Sequence, residues 1–248
     1  MRPSRWLTPT SWNYILLHIV IFLVGFVLIR DTRNVVQGIG ASLIAAAVTG
    51  WVVFVYVRLS ERRSEALEIV NRFGFVGAFE ARAARIKPEY DQRLARASEH
   101  IDIMGFGLKA LWEDYHEQFP EWKRRVHVRI LLIDPDSPYA EQRDEEELEI
   151  KGSIRSSVKR FLRETERLRA DRTKHRFEIR LYTCLPSVNI FRIDDEMFWG
   201  PYLIRAQSRN APTFVLQHGV LYRRLLQHFE TVWTDDVLSR PVAETDAE

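Results

Sequence analysis

Between Ser187 and Tyr202 a largely apolar stretch carries the side chains best suited to holding a ligand: Asn189, Arg192, Asp194 and Tyr202. A guanidinium such as that of Arg192 offers a planar, two-pronged donor to phosphate or carboxylate. The other three supply an amide, a carboxylate and a phenol nearby in sequence. The competing reading is that Arg192 and Asp194 form a scaffold ion pair while Trp199 and Tyr202 fill the core. No residue is assigned a catalytic role, because Ser187 has no local base and a serine hydroxyl without one is a poor nucleophile. His116, His127, His218 and His228 have no metal-ligand spacing with Cys, Asp or Glu, so neither metal nor other cofactor is expected. No phosphate-cradling glycine loop occurs; Gly105-x-Gly107 after a strand is half of one. The single cysteine, Cys184, excludes an intrachain disulfide framework and fits a reducing compartment. It reads as a small, partly buried residue at a strand end.

The elements that must position these side chains follow from periodicity. Residues 101–106 read as a buried strand ending at a glycine, and 108–119 as a helix stopped by Pro120. Residues 126–133 alternate and then become wholly apolar, the pattern of a central strand. Arg143–Glu149 is a charge run, expected as a solvated loop or helix start. Ile154, Val158, Phe161, Leu162, Thr165 and Leu168 mark an amphipathic helix. Residues 177–182, 188–193, 197–204 and 213–216 read as further strands, and 220–233 as a closing helix. Helices alternating with strands, followed by clustered strands, predict an α/β domain with a mixed sheet.

The outline of 187–202 resembles the phospholipase D family, in which a strand carrying His-x-Lys is followed by four residues, an aspartate and a second strand with a glycine. The order of elements from Ile101 to Trp233 is similar to one lobe of that fold. Counting back from Asp194, Ser187 stands at the histidine position and Asn189 at the lysine position; only the aspartate is retained. The family is known for a histidine nucleophile with a lysine stabilising phosphate oxygens. The resemblance therefore implies the fold, while serine and asparagine argue against its hydrolytic activity. A single lobe further implies a homodimer with two degenerate sites facing each other across a two-fold axis.

Ahead of this domain lie two apolar runs, 12–29 and 35–59, separated by Arg30-Asp31-Thr32-Arg33-Asn34. A helix needs about 20 apolar residues to cross a bilayer core, and both runs approach that length. They are read as a transmembrane hairpin. His18, the one ionisable side chain inside them, reads as a hydrogen-bond partner between the helices or, in the second reading, a functional ionisable group. Arg2 and Arg5 before the first helix, and Arg58, Arg62 and Arg63 after the second, outweigh Arg30 and Arg33 in the loop. This bias favours an inner-membrane protein with both termini and the soluble domain in the cytoplasm. Gly38, Ser42, Ala46 and Thr49 form a small-residue stripe on the second helix, either the candidate oligomerisation face or the surface that packs on the first helix near Gly25.

The organisation expected is thus a hairpin over 1–60, a charged helical linker over 61–100, a phospholipase D-like domain over 101–236 and a flexible tail over 237–248. Residues 1–63 hold seven arginines against Asp31 and Glu61. Subtracting these from the totals of 36 and 34 leaves 29 basic and 32 acidic residues in the remainder. The soluble part therefore lacks the basic excess of a general nucleic-acid binder. The expected function is that of a non-catalytic bacterial membrane protein, of the kind found among defence effectors. Its cytosolic domain would sense a phosphate-containing or nucleotide ligand, or a partner, and couple that state to a homo-oligomeric hairpin. The alternative is a phospholipase D-type phosphodiesterase with a displaced active site. The purified full chain is expected to require detergent; a preparation that stays dispersed in plain buffer would overturn the membrane reading.

Overall fold

The computed structural model describes residues 9–81, 86–171, 175–185, 187–243 and 246. Arg2 and Arg5 lie outside them. The chain divides into two units, Met1–Glu68 and Ile69–Glu248.

The first unit contains α1 (Pro9–Leu28) and most of α2 (Asn34–Phe73). By length and composition α2 can cross a membrane over Asn34–Ser60, with a mean hydropathy of 2.0; Trp12–Leu28 is a shorter apolar run. The less exposed positions recur every three or four residues on both helices. They include Tyr14, His18, Ile21, Gly25 and Leu28 on α1, and Val36, Gly40, Leu43, Ala47, Gly50 and Phe54 on α2. This is the spacing of a packed helical seam. A Cβ on Gly40 would lie 2.7 Å from the Gly25 carbonyl oxygen, so glycine is what permits this close approach. His18 packs against Gly50, donates through Nδ1 to the Tyr14 carbonyl of its own helix (2.9 Å) and stacks on the Tyr14 ring. The Tyr14 hydroxyl donates to the Gly50 carbonyl across the seam at 3.1 Å. Gly38, Ser42, Ala46 and Thr49 all lie on the exposed side of α2, away from this seam.

The second unit is a mixed α/β fold. Gly74, in the left-handed region at φ +86°, ends α2, and its N–H donates to the Val70 carbonyl at 3.0 Å. Then follow β1 (Phe75–Phe79), α3 (Lys87–Leu94), β2 (His100–Gly105), α4 (Lys109–Tyr115), α5 (Phe119–Arg125) and β3 (His127–Ile133). After these come α6 (Pro138–Glu146), α7 (Ser153–Glu164), α8 (Glu166–Ala170), β4 (Phe177–Tyr182), β5 (Val188–Ile193), β6 (Glu196–Pro201) and β7 (Thr213–Gln217). The last elements are α9 (Val220–Thr234) and β8 (Ser239–Pro241). The eight strands form one sheet in the order β1-β7-β6-β5-β2-β3-β4-β8. Among the described strands only β2/β3 and β3/β4 run parallel.

Three features differ from the sequence expectation. Residues 75–79, inside the expected charged linker, are a strand, because this apolar segment pairs antiparallel with β7. Residues 239–241, expected as part of a flexible tail, form β8 on β4, and Arg240 there pairs with Asp134 (2.8 Å) and with Asp246 (2.7 Å). The charge run at 143–149 is not simply solvated. Arg143 and Asp144 are buried, and the Asp144 carboxylate accepts from the N–H groups of Gly152 and Ile154 at the start of α7.

One face of the central strands packs Phe191 and Phe177 against Tyr90, Trp122 and Phe119 from α3 and α5. The other face meets α9 through a polar network. Asp102 on β2, 1% exposed, accepts from Arg129 on β3 at 2.7 and 2.9 Å and from Arg192 on β5 at 2.8 Å. Arg129 also pairs with Glu230 of α9 (2.7 Å), and Arg192 donates to the Tyr222 hydroxyl of α9 (2.9 Å). Removing one member of a buried ion pair costs roughly 3–5 kcal/mol. Asp102→Ala is therefore expected to lower stability by that order in thermal or denaturant unfolding, since it removes the buried carboxylate that two guanidinium groups share; wild-type stability would show the network to be dispensable.

Candidate functional site

Strand β2 ends on Gly105, and the chain turns through Phe106 and Gly107 into α4. Ser153, Ile154 and Ser157 of α7 face this turn, with Asn189 of β5, Tyr202 beyond β6 and the segment 207–209. Together they line a cavity of about 460 Å³. It lies outside the carboxyl end of β2, where open α/β sheets commonly take ligands.

The four candidate residues are split. Asn189 and Tyr202 line the cavity, whereas Arg192 and Asp194 do not. Asn189 is buried, and its Nδ2 donates to the Gly200 carbonyl at 2.9 Å. Arg192 is committed to Asp102, Tyr222 and the main-chain oxygen of Asp194, so Arg192 and Asp194 do not pair through their side chains. Asp194 sits in the β5–β6 turn at φ +49° and accepts from the N–H groups of Ser98, Glu99 and His100 at 2.9, 2.9 and 3.1 Å. Ser187 is exposed just before β5 and outside the cavity lining.

Two residues hidden in the charge run shape the wall. The Arg143 guanidinium lies over the Tyr202 ring (5.0 Å) and the Phe106 ring (5.7 Å). It donates to Glu147 (2.7 Å) and to the carbonyls of Leu203 and Ala206. Glu147 also accepts from the Ser208 hydroxyl at 2.7 Å, which ties 203–208 to the end of α6. The sequence signal for this wall was a single run, Arg143 followed by acids at Glu146 and Glu147, the helical spacing of an ion pair.

The electrostatics of the lining are uneven. Glu147 and Glu149 accept bonds from Arg143 and Gln207, and Asp114 pairs with Lys87 at 3.0 Å. Lys109 and Arg209 are exposed on the lining, and among the described interactions neither has an acidic partner. Backbone strain gathers here too. Leu108, Leu148 and Arg205 adopt φ of +48°, +58° and +59° around the turns that border the cavity, values uncommon for residues other than glycine.

A smaller cavity of about 330 Å³ lies between α8, β4 and β8 and holds Arg169, Arg176 and Arg180. Arg180 is taken by Asp236 (2.7 Å) and Arg176 lies 3.6 Å from Glu178, so its cations are largely answered within the fold. Among the described residues, no group of three or more His, Cys, Asp or Glu is placed to hold a metal. Burial raises the pKa of the half-buried Cys184 thiol, which disfavours the reactive thiolate.

Burial alone would raise the pKa of Asp194, but the three N–H donors outweigh it and hold the carboxyl below its ordinary value. The stability this contributes is full above the unfolded carboxyl pKa of about 4 and fades as pH falls through the lower folded value. Asp194→Asn keeps a residue that tolerates positive φ. It is expected to destabilise the protein at neutral pH, with the gap to wild type closing as unfolding is measured at pH 4 and below. A gap independent of pH would show that the charge does no capping.

A family model described as "Domain of unknown function (DUF5919)" matches residues 72–237. No curated protein matches the sequence. Among solved structures, phosphatidylserine synthase of Haemophilus influenzae Rd KW20 is similar at 14% identity and a TM-score of 0.45, over 73% of this chain and 44% of that one. TrmBL2, an archaeal chromatin protein described as showing a novel mode of DNA binding, is similar at 15% identity and a TM-score of 0.40, over 82% of this chain and 70% of that one.

Proposed function

The chain belongs to the DUF5919 family, and we propose that it is a membrane-anchored, non-catalytic receptor. Its α/β domain takes a small phosphate-bearing ligand, of the nucleotide class, at the carboxyl end of β2. The observation that carries this reading is the cavity of about 460 Å³ bordered by Asn189 and Tyr202, with Lys109 and Arg209 unanswered by acids on its lining. Burying a phosphate against such cations gains charge-assisted bonds without breaking existing ion pairs. Phe106, Tyr90 and Tyr202 supply the apolar and aromatic wall that a planar base requires. The strained turns at Leu108, Leu148 and Arg205 are the type of backbone found at ligand clamps.

The non-catalytic reading is supported by the side chains that line the cavity. Neither a histidine nor a cysteine is among them, and Ser187 and Asn189 stand where the phospholipase D pattern has its histidine and lysine. This supports a phospholipase D-type scaffold retained for binding. Continuity of α2 from the apolar Asn34–Ser60 to Phe73 supports transmission of the bound state to the hairpin, with oligomerisation through the exposed Gly38, Ser42, Ala46 and Thr49. The bilayer, the cytoplasmic orientation and a bacterial defence-type role belong to the same proposal.

Calorimetric titration of the detergent-solubilised full chain with inorganic phosphate, ATP and a cyclic dinucleotide tests it. At least one nucleotide is expected to bind, and Lys109→Ala/Arg209→Ala to weaken it tenfold or more, on the order of 1.4 kcal/mol. No binding by any of the three would overturn the ligand class. Turnover of a phosphodiester substrate that Ser187→Ala or Asp194→Ala abolishes would establish the enzymatic alternative instead.

A further inference from the structure

Three guanidinium groups line the smaller cavity between α8, β4 and β8, and one of them is left over. Arg180 is used up: its Nε donates to the Ser239 hydroxyl at 2.9 Å and its Nη2 to Asp236 at 2.7 Å. Arg176 is exposed and stands 3.6 Å from Glu178, too far for a hydrogen bond. Asp171, the other acid on the lining, is held by Lys123 at 2.5 Å. Arg169 is half-buried, and among the described residues it makes no ion pair. Its Nη2 donates to the Leu162 carbonyl at 3.0 Å, while its Nε is buried with no acceptor.

A buried donor without a partner is costly, and a cation in that position more so. Burial pushes the Arg169 pKa down even though Glu166 and Asp246 act against it, so the acids nearby do not replace the lost water. Asp246 is itself taken by Arg240 at 2.7 Å. A cavity whose wall holds such a group is a site that a ligand would complete.

The surrounding charge selects the ligand. Residues 153–180 hold ten basic side chains against four acidic ones. Subtracting these from the 29 and 32 of residues 64–248 leaves 19 basic and 28 acidic residues elsewhere. On α7, Arg155, Lys159 and Arg163 follow at four-residue spacing, a like-charge ladder that weakens a helix. Its field draws small anions to this part of the molecule, whereas the acidic remainder opposes a long polyanion. A carboxylate is satisfied by one guanidinium fork. A phosphate presents oxygens on several sides and suits two forks from different elements, Arg169 on α8 and Arg176 before β4.

We infer that this cavity is a second anion site, in which Arg169 and Arg176 hold a single phosphate group, free in solution or on a lipid headgroup. The inference does not depend on the first cavity. The test uses the full chain carrying Lys109→Ala/Arg209→Ala, which silences that cavity, as the parent. In detergent it is titrated calorimetrically with inorganic phosphate. In nanodiscs its thermal unfolding is compared between phosphatidylcholine alone and phosphatidylcholine with phosphatidic acid. Phosphate is expected to bind once per chain, which assigns a soluble source, or phosphatidic acid alone to raise the unfolding temperature, which assigns a lipid headgroup. Arg169→Gln is expected to weaken phosphate binding about tenfold or more and to cancel the rise in unfolding temperature. Arg176→Ala, at an exposed position that leaves the core untouched, is expected to act in the same direction and decides alone should Arg169→Gln not fold. The inference is overturned if neither anion acts, or if the deciding variant responds as the parent does.

Discussion

A carboxylate sealed between two guanidinium groups holds the centre of this fold. Asp102 is almost without solvent, and a lone charge there would cost several kcal/mol. Arg129 and Arg192 come from the strands on either side of β2, so the cost is offset only when β5, β2 and β3 lie in the observed register. Slipping any of the three by one residue would turn its member to the opposite face. Glu230 and Tyr222 then extend the same condition to α9. The polar network thus specifies an arrangement that the surrounding Ile, Leu and Phe side chains would satisfy in several ways.

The same network holds Arg192 away from the cavity. An arginine that holds a buried aspartate cannot also turn to an incoming anion. Cavity-facing positions instead fall to residues whose backbone lies at the carboxyl end of the sheet, Asn189 and Tyr202, and to Arg143, whose stacking on Phe106 and Tyr202 stiffens one wall. Asp194 organises backbone by fastening the start of β2 to the β5–β6 turn.

Much of the architecture was legible from periodicity. Strands β2 to β5, β7 and α9 fell within a residue or two of where alternation and apolar runs put them. Strand β1 was missed because two glycines in an aromatic patch signal a turn, and only pairing with the distant β7 overrides that preference. Strand β8 was missed because three residues carry no period at all. The site was half legible. Sequence proximity grouped Asn189, Arg192, Asp194 and Tyr202, but alternate residues on a strand point to opposite faces. The register Asp102↔Arg192 fixed which face received the arginine. No local pattern could show that Arg143 would be buried, since that depends on carbonyls some sixty residues away, at Leu203 and Ala206.

The Ser-Arg-Pro border at β8 has a bearing on how far assembly can run. Proline offers no amide hydrogen, and Arg240 is clasped by Asp134 and Asp246, so this margin cannot serve as a template for another sheet. A border sealed in this way keeps the sheet from lengthening at that side, even when molecules are crowded.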